Sequence, residues 1–178
     1  MILRAALVPF LLLAAFTQAQ AETVKLVLSI EGRGDVTMQL LTDKAPKTCA
    51  QIERLATSGF YNGLRFHREE RTPRPFLVEV GDPRSRDSLD AGDLGTKGSG
   101  SKIPFEPTDV PQEAGIVGLV RDQADKNSGD SSFYILLAPA RFLDNKYTAF
   151  AKVISGKEIV EKIKRGDRIT SAKIVRTP

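Results

Sequence analysis

The chain has 178 residues, of which 41% are hydrophobic and 27% charged, with a net charge of +4, one cysteine and one histidine. This is enough chain for a single domain whose core needs no staple, and one cysteine excludes an internal disulfide framework. Lysines and arginines are interspersed with acids instead of forming a basic run, which argues against a nucleic-acid-binding face.

Arg4 precedes an apolar stretch over 5–16 that is short for a bilayer span, and Ala19-Gln20-Ala21 has the small-x-small pattern of a signal-peptidase site. The expectation is a signal peptide over 1–21, a mature domain over 22–178 beginning at Glu22, and a periplasmic or secreted location. A retained membrane anchor is the competing reading, and stable membrane insertion after cleavage is not expected. The residue directly after the expected cleavage site is Glu22, not a cysteine that could carry a lipid.

Val24, Leu26, Leu28 and Ile30 alternate with outward positions, as do Val36, Met38 and Leu40, and Glu31-Gly32-Arg33-Gly34-Asp35 between them reads as a hairpin turn. Ala45, Cys49, Ile52, Leu55 and Ala56 recur at helical spacing. Thr42 or Asp43 is placed to cap this helix, Pro46 suits its first turn, and Gly59 can end it. Cys49 then reads as a small buried hydrophobe on the helix face.

Strand-like runs resume over 64–68 and 76–80. From 81 to 113 the chain is rich in Gly, Pro, Ser and Asp, the composition of a long surface loop. Runs over 115–120, 132–137 and 148–154 read as strands. Ile159, Val160 and Ile163 mark a second helix between Gly156 and Gly166, and 169–175 a closing strand. Eight strands and two separated helices lack the βαβ rhythm of a parallel sheet. The physical solution is a mainly β fold, a closed antiparallel eight-stranded barrel capped by two α-helices.

Two motifs fail on inspection. Gly95-Thr96-Lys97-Gly98-Ser99-Gly100-Ser101-Lys102 has phosphate-loop glycines, but Ser101 occupies the lysine position, and Pro104 and Pro107 follow where a helix should start. Asp125-Lys126-Asn127-Ser128-Gly129 opens like a calcium loop, yet Leu136 stands where a bidentate glutamate is needed. His67, the only histidine, has no partners at metal-ligand spacing, so no metal is expected. It reads as a packed or hydrogen-bonded side chain at a strand end. On strand periodicity Arg68 faces opposite to His67. Either it forms a surface salt bridge with Glu69 or Glu70, or its guanidinium stands over an apolar groove lined by Phe76, Leu77, Phe133, Leu143 and Tyr147.

Gly59-Phe60-Tyr61-Asn62-Gly63-Leu64-Arg65-Phe66-His67-Arg68, then Phe76-Leu77-Val78, Gly81-Asp82-Pro83, Ser131-Ser132-Phe133-Tyr134-Ile135 and Phe142-Leu143-Asp144-Asn145-Lys146-Tyr147 follow one another in order. This ordered set resembles the cyclophilin family of peptidyl-prolyl cis-trans isomerases, from about residue 24 to about 165. The resemblance implies isomerisation of Xaa-Pro bonds in proline-containing polypeptides during folding of exported proteins, with no cofactor and a monomeric chain. It implies Arg68 as the catalytic residue and Phe76, Leu77, Glu79, Phe133, Tyr134, Phe142, Leu143 and Tyr147 as substrate-binding residues. The chain departs from the family pattern in four places. Glu69-Glu70-Arg71-Thr72-Pro73-Arg74-Pro75 is a longer link than usual, Glu79 replaces a glutamine, Val80 replaces a glycine, and Ser132 replaces a second glutamine. Those departures bear on catalytic efficiency, and the alternative reading is a proline-peptide-binding or chaperone-like module with little turnover. A structural envelope protein using the same scaffold is the third reading.

Overall fold

A computed structural model describes residues 22–178; the expected targeting segment lies outside them. Strand β1 (Thr23–Ile30) buries every second residue, and β2 (Gly34–Leu40) pairs with it antiparallel as the alternation predicts. The remaining strands are β3 (Arg68–Glu70), β4 (Leu77–Val80), β5 (Ile116–Leu119), β6 (Phe133–Leu136), β7 (Ala149–Ser155) and β8 (Ile169–Thr177). They form one sheet in the order β3-β4-β6-β5-β7-β2-β1-β8, antiparallel at every pairing.

The closed barrel and the strand over 64–68 both need correction. The terminal strands β3 and β8 share no ladder; one isolated bridge, Arg65 to Arg168, joins the two ends. Around it Gly63 N–H donates to Ile169 O at 2.7 Å, Phe66 N–H to Asp167 O at 2.9 Å and Ile169 N–H to Leu64 O at 2.8 Å. The sheet is thus a curled, open barrel stitched at one seam. The chain enters that seam from a turn at 60–63 and becomes a strand only at Arg68, which leaves β3 three residues long and too short to build a ladder with β8.

Helix α1 (Pro46–Thr57) buries Cys49, Ile52, Leu55 and Ala56 as its periodicity requires. Neither Thr42 nor Asp43 caps it. Ala45 holds the cap position without a side-chain bond, and the missing acceptor comes from Glu106, far along the chain. The Glu106 carboxylate accepts from Lys47 N–H at 2.9 Å, Thr48 N–H at 2.6 Å and the Thr48 hydroxyl at 2.7 Å. A carboxylate there meets both the unsatisfied N–H groups and the positive end of the helix dipole. At the other end Gly59 N–H reaches Ala56 O and Phe60 N–H reaches Leu55 O, the paired bonds of a glycine-terminated helix. Helix α2 (Lys157–Val160) is a single turn. Among the described residues no helix is long and apolar enough to cross a membrane.

The 81–113 segment holds only one short 3-10 turn, Pro83–Arg86, and a bridge from Ile103 to Gly129. Its backbone donors are gathered by carboxylates. Asp82, fully buried, accepts from Arg84 N–H, Gly95 N–H and Lys97 N–H and pairs with the Arg84 guanidinium at 2.8 Å. Asp130 accepts from Ser99 N–H at 3.0 Å and Gly100 N–H at 2.8 Å. The N–H groups of Gly95, Lys97, Ser99 and Gly100 in the phosphate-loop look-alike are therefore already bonded within the protein.

Two consequences can be measured. Glu106→Ala should lower unfolding stability by about 1–2 kcal/mol, read from urea titrations, with hydrogen exchange accelerated in the first turn of α1; unchanged stability would show that the cap contributes nothing. Burial alone would raise the Asp82 carboxyl, but the Arg84 guanidinium and the three N–H donors prevail and hold it at about 2. Its folded value lies below its unfolded one, so its contribution is fully present above the unfolded value near 4 and is lost as pH falls toward 2. Asp82→Asn should flatten the stability profile across that window, and an unchanged acid limb would contradict the assignment.

Candidate functional site

Directly opposed residues in an antiparallel ladder face the same side of the sheet. Arg68 of β3 opposes Glu79 of β4, Glu79 opposes Tyr134 of β6, and Tyr134 opposes Gly118 of β5. One row therefore carries a cation, an anion, an aromatic ring and a glycine across four strands. A methyl group on Gly118 would sit 2.1 Å from the Tyr134 ring, so glycine is what lets that ring lie over β5. The phenol is fixed at its far end by donating to Gln112 Oε1 at 3.0 Å.

The strands β4 and β6 are buried on both faces. On the inner face Phe133 packs in the main core, 5.5 Å from the Tyr61 ring and 6.1 Å from Phe150. On the outer face Leu77, Tyr134 and Leu143 form a second cluster with Phe76 and Tyr147. Phe142 extends it, 58% exposed and 5.7 Å from the Phe76 ring. Of the expected groove residues, Phe76, Leu77, Tyr134, Phe142, Leu143 and Tyr147 are brought together and Phe133 is not. Period-two alternation sends Phe133 and Tyr134 to opposite sides.

Arg68 is bound by two carboxylates. Its Nη1 donates to Glu79 Oε2 at 3.0 Å and its Nε to Glu70 Oε1 at 2.8 Å. The surface-pair reading holds for Glu70, a second pair runs from the half-exposed guanidinium to the buried Glu79 carboxylate, and Glu69 instead joins Arg71 and Lys164. Burial disfavours the guanidinium charge, but Glu70 and Glu79 raise its pKa further, so it stays a cation at any working pH.

His67 does not turn away from this pair. It lies in irregular chain before β3, and its Nε2 is 3.1 Å from the other Glu79 oxygen. Its Nδ1 is buried without a partner. The tautomer protonated on Nε2 donates to Glu79 and leaves only a lone pair unmatched. Gly95 closes over this pair, where an added methyl would sit 3.0 Å from His67 Nε2.

Beside the groove lies a cavity of about 340 Å³ lined by residues that include Lys97, Lys102, Arg121, Asp130 and Ser132. Arg121 joins the two, with its guanidinium 4.8 Å above the Tyr147 ring. Sequence reasoning missed Gln112, Gly118 and Arg121. Gln112 and Arg121 lie in or beside irregular chain without periodicity, and the role of Gly118 depends on a ring from another strand.

A cation held at the edge of an apolar wall suits reactions in which no covalent bond is made. Comparison with known proteins agrees. Residues 25–177 match the family described as cyclophilin type peptidyl-prolyl cis-trans isomerase/CLD. A probable peptidyl-prolyl cis-trans isomerase of Brucella suis is 39% identical over 75% of this chain and 68% of its own length. A peptidyl-prolyl cis-trans isomerase of Synechococcus elongatus is 35% identical over 89% of this chain and 97% of its own. A crystal structure of a cyclophilin type peptidyl-prolyl cis-trans isomerase from Cryptosporidium parvum superimposes with a TM-score of 0.73 at 23% identity, covering 88% of this chain and 99% of that one. The same protein has been crystallised in the presence of the dipeptide Ala-Pro, and that structure superimposes with a TM-score of 0.68. Fold, motif order and these likenesses coincide over the same residues: the chain belongs to the cyclophilin family of peptidyl-prolyl cis-trans isomerases.

Proposed function

We propose that this chain accelerates rotation about Xaa-Pro amides in exported polypeptides, acting as a monomer after removal of residues 1–21, with Arg68 as its catalytic residue. The observation that carries the assignment to this groove is the row Arg68, Glu79, Tyr134, which sets a fixed cation beside an aromatic and aliphatic wall. The Ala-Pro dipeptide used with the Cryptosporidium relative supports prolyl peptides as the ligand class.

The partial double bond of the amide imposes a barrier of roughly 18–20 kcal/mol, and twisting it localises a lone pair on the prolyl nitrogen. The wall formed by Phe76, Leu77, Tyr134, Leu143 and Tyr147 receives the proline ring and excludes water. Arg68 presents N–H donors in a rigid fork, and a hydrogen bond given to the twisted nitrogen favours the transition state over either planar ground state. Glu79 aims the guanidinium and, being charged, also weakens its field. Two carboxylates on one arginine also favour a second reading, in which the groove binds prolyl peptides and turns them over slowly.

Removing Arg68 alone leaves the buried Glu79 carboxylate without its cation, which destabilises the fold. The informative variants are Glu79→Gln and the double change Arg68→Ala with Glu79→Gln. Glu79→Gln should raise catalytic efficiency on a short Xaa-Pro peptide. The double variant should lose about a hundredfold relative to it while keeping a similar thermal midpoint; equal turnover in the two would sink the role of Arg68. A wild type that binds prolyl peptides but does not isomerise them, and that Glu79→Gln does not rescue, would establish the binding reading. Intact mass from the native host should show a chain beginning at Glu22, and a full-length mass in the membrane fraction would overturn export with cleavage.

A further inference from the structure

At the seam of the sheet, away from the groove, three arginines converge on one turn. Arg86 donates from Nη2 to Phe60 O at 2.8 Å and from Nε to Asn62 O at 3.1 Å. Arg168 donates from Nη1 to the next carbonyl, Gly63 O, at 3.1 Å. Two guanidiniums are therefore fixed on consecutive carbonyls. Arg65 is the direct cross-strand partner of Arg168 in the bridge that stitches the sheet, and opposed residues project to one face. Gly63, at φ +83°, makes room for this: an added methyl would lie 3.3 Å from Arg86 Cγ and 3.5 Å from its Nε.

Like charges opposed across a ladder destabilise it. Elsewhere Arg54, Arg121 and Arg165 are held by amide or carbonyl oxygens and Arg74 stands exposed, while Arg33, Arg68, Arg71, Arg84, Arg141 and Arg176 pair with carboxylates. Among the described residues none of Arg65, Arg86 and Arg168 has such a pair. The carboxylates closest in sequence do not fill the gap. Asp167 pairs with Arg33, Asp90 accepts from the Ser88 hydroxyl, and Asp87 lies exposed. The backbone carbonyls engage Arg86 and Arg168 from the turn side, which orients them while leaving N–H donors unused: Nη1 of Arg86, Nε and Nη2 of Arg168. Arg65 is bonded only through its backbone N–H, to Ser85 Oγ at 3.2 Å.

We propose that Arg65, Arg86 and Arg168 form a binding site for a phosphate-type oxyanion. The fork of a guanidinium matches two oxygens of a tetrahedral phosphate, and three cations on one turn suit a dianion. The same chemistry is offered by free inorganic phosphate and by the phosphate of an anionic phospholipid headgroup. The site does not use the prolyl groove, so it stands or falls independently of the isomerase reading.

The test is titration of the folded chain with inorganic phosphate at constant ionic strength, followed by amide NMR shifts, with chloride as control. Saturable shifts at Gly63, Arg65 and Arg168 that chloride does not reproduce are expected. Arg65→Glu is the deciding variant, because that side chain makes no hydrogen bond whose loss would disturb the turn. It should weaken phosphate binding by about tenfold or more with an unchanged circular dichroism spectrum. Arg86→Gln should weaken it as well, and its thermal midpoint reports any damage to the turn. Vesicles with and without anionic phospholipid separate the two sources: binding to anionic vesicles that Arg65→Glu abolishes identifies a headgroup site, and phosphate binding without vesicle binding identifies a site for the free ion. Shifts that rise linearly and match those with chloride, or an Arg65→Glu variant that binds phosphate or vesicles as well as wild type, would overturn the proposal.

Discussion

Side-chain parity along β4 and β6 is the constraint from which the rest follows. Both strands are buried on two sides, so each residue belongs either to the barrel interior or to the outer cluster, with no solvent-facing default. A slip of one position would put Tyr134 among Tyr61 and Phe150 and push Phe133 into the groove, reversing every assignment at once. The register is held on both flanks of β6, by β4 and by β5, and Gly118 adds a steric key because only its missing side chain accepts the Tyr134 ring. Core packing and groove composition are thus one decision, made twice per strand.

Irregular chain around the site obeys a different rule. A segment without ladders has backbone N–H groups that still need acceptors, and here acidic side chains supply them. Asp82 and Asp130 fold the 93–100 region back on itself, and Glu106 carries the end of the segment to α1. Through Gly95 this order reaches the His67–Glu79 contact. The loop is therefore part of the wall that keeps the buried carboxylate dry, and a dry carboxylate holds Arg68 more firmly than a solvated one.

Where sequence patterns were read correctly, the determinant was local. The β1–β2 alternation and the apolar stripe of α1 each specify one face of one element. The order of the aromatic blocks was enough to identify the family. Phe133 and Tyr134 show where such reading stops: adjacent aromatics look alike until the register says which points inward. The Glu106 cap was illegible for a related reason, since the local candidates Thr42 and Asp43 satisfy the usual pattern while the acceptor arrives from a distant loop. The closed barrel is expected from many strands, two separated helices and no βαβ rhythm. Closure depends on the length of the last-paired strands, and the turn before Arg68 left too little of β3 to supply it.

Cys49 gives the molecule a built-in reporter. It is the only cysteine in the chain, 1% exposed, and burial pushes its thiol up to about 12. In the folded state it is neither thiolate nor accessible, so an oxidant has nothing to act on. Its reaction with a thiol reagent requires α1 to leave the barrel, and the rate of that reaction therefore counts opening events of the helix that Glu106 secures. A copy held unfolded would expose the same sulfur with no internal partner, and its oxidation would join two chains. Disulfide-linked dimers would then be a record of folding failure and not an assembly of the native protein.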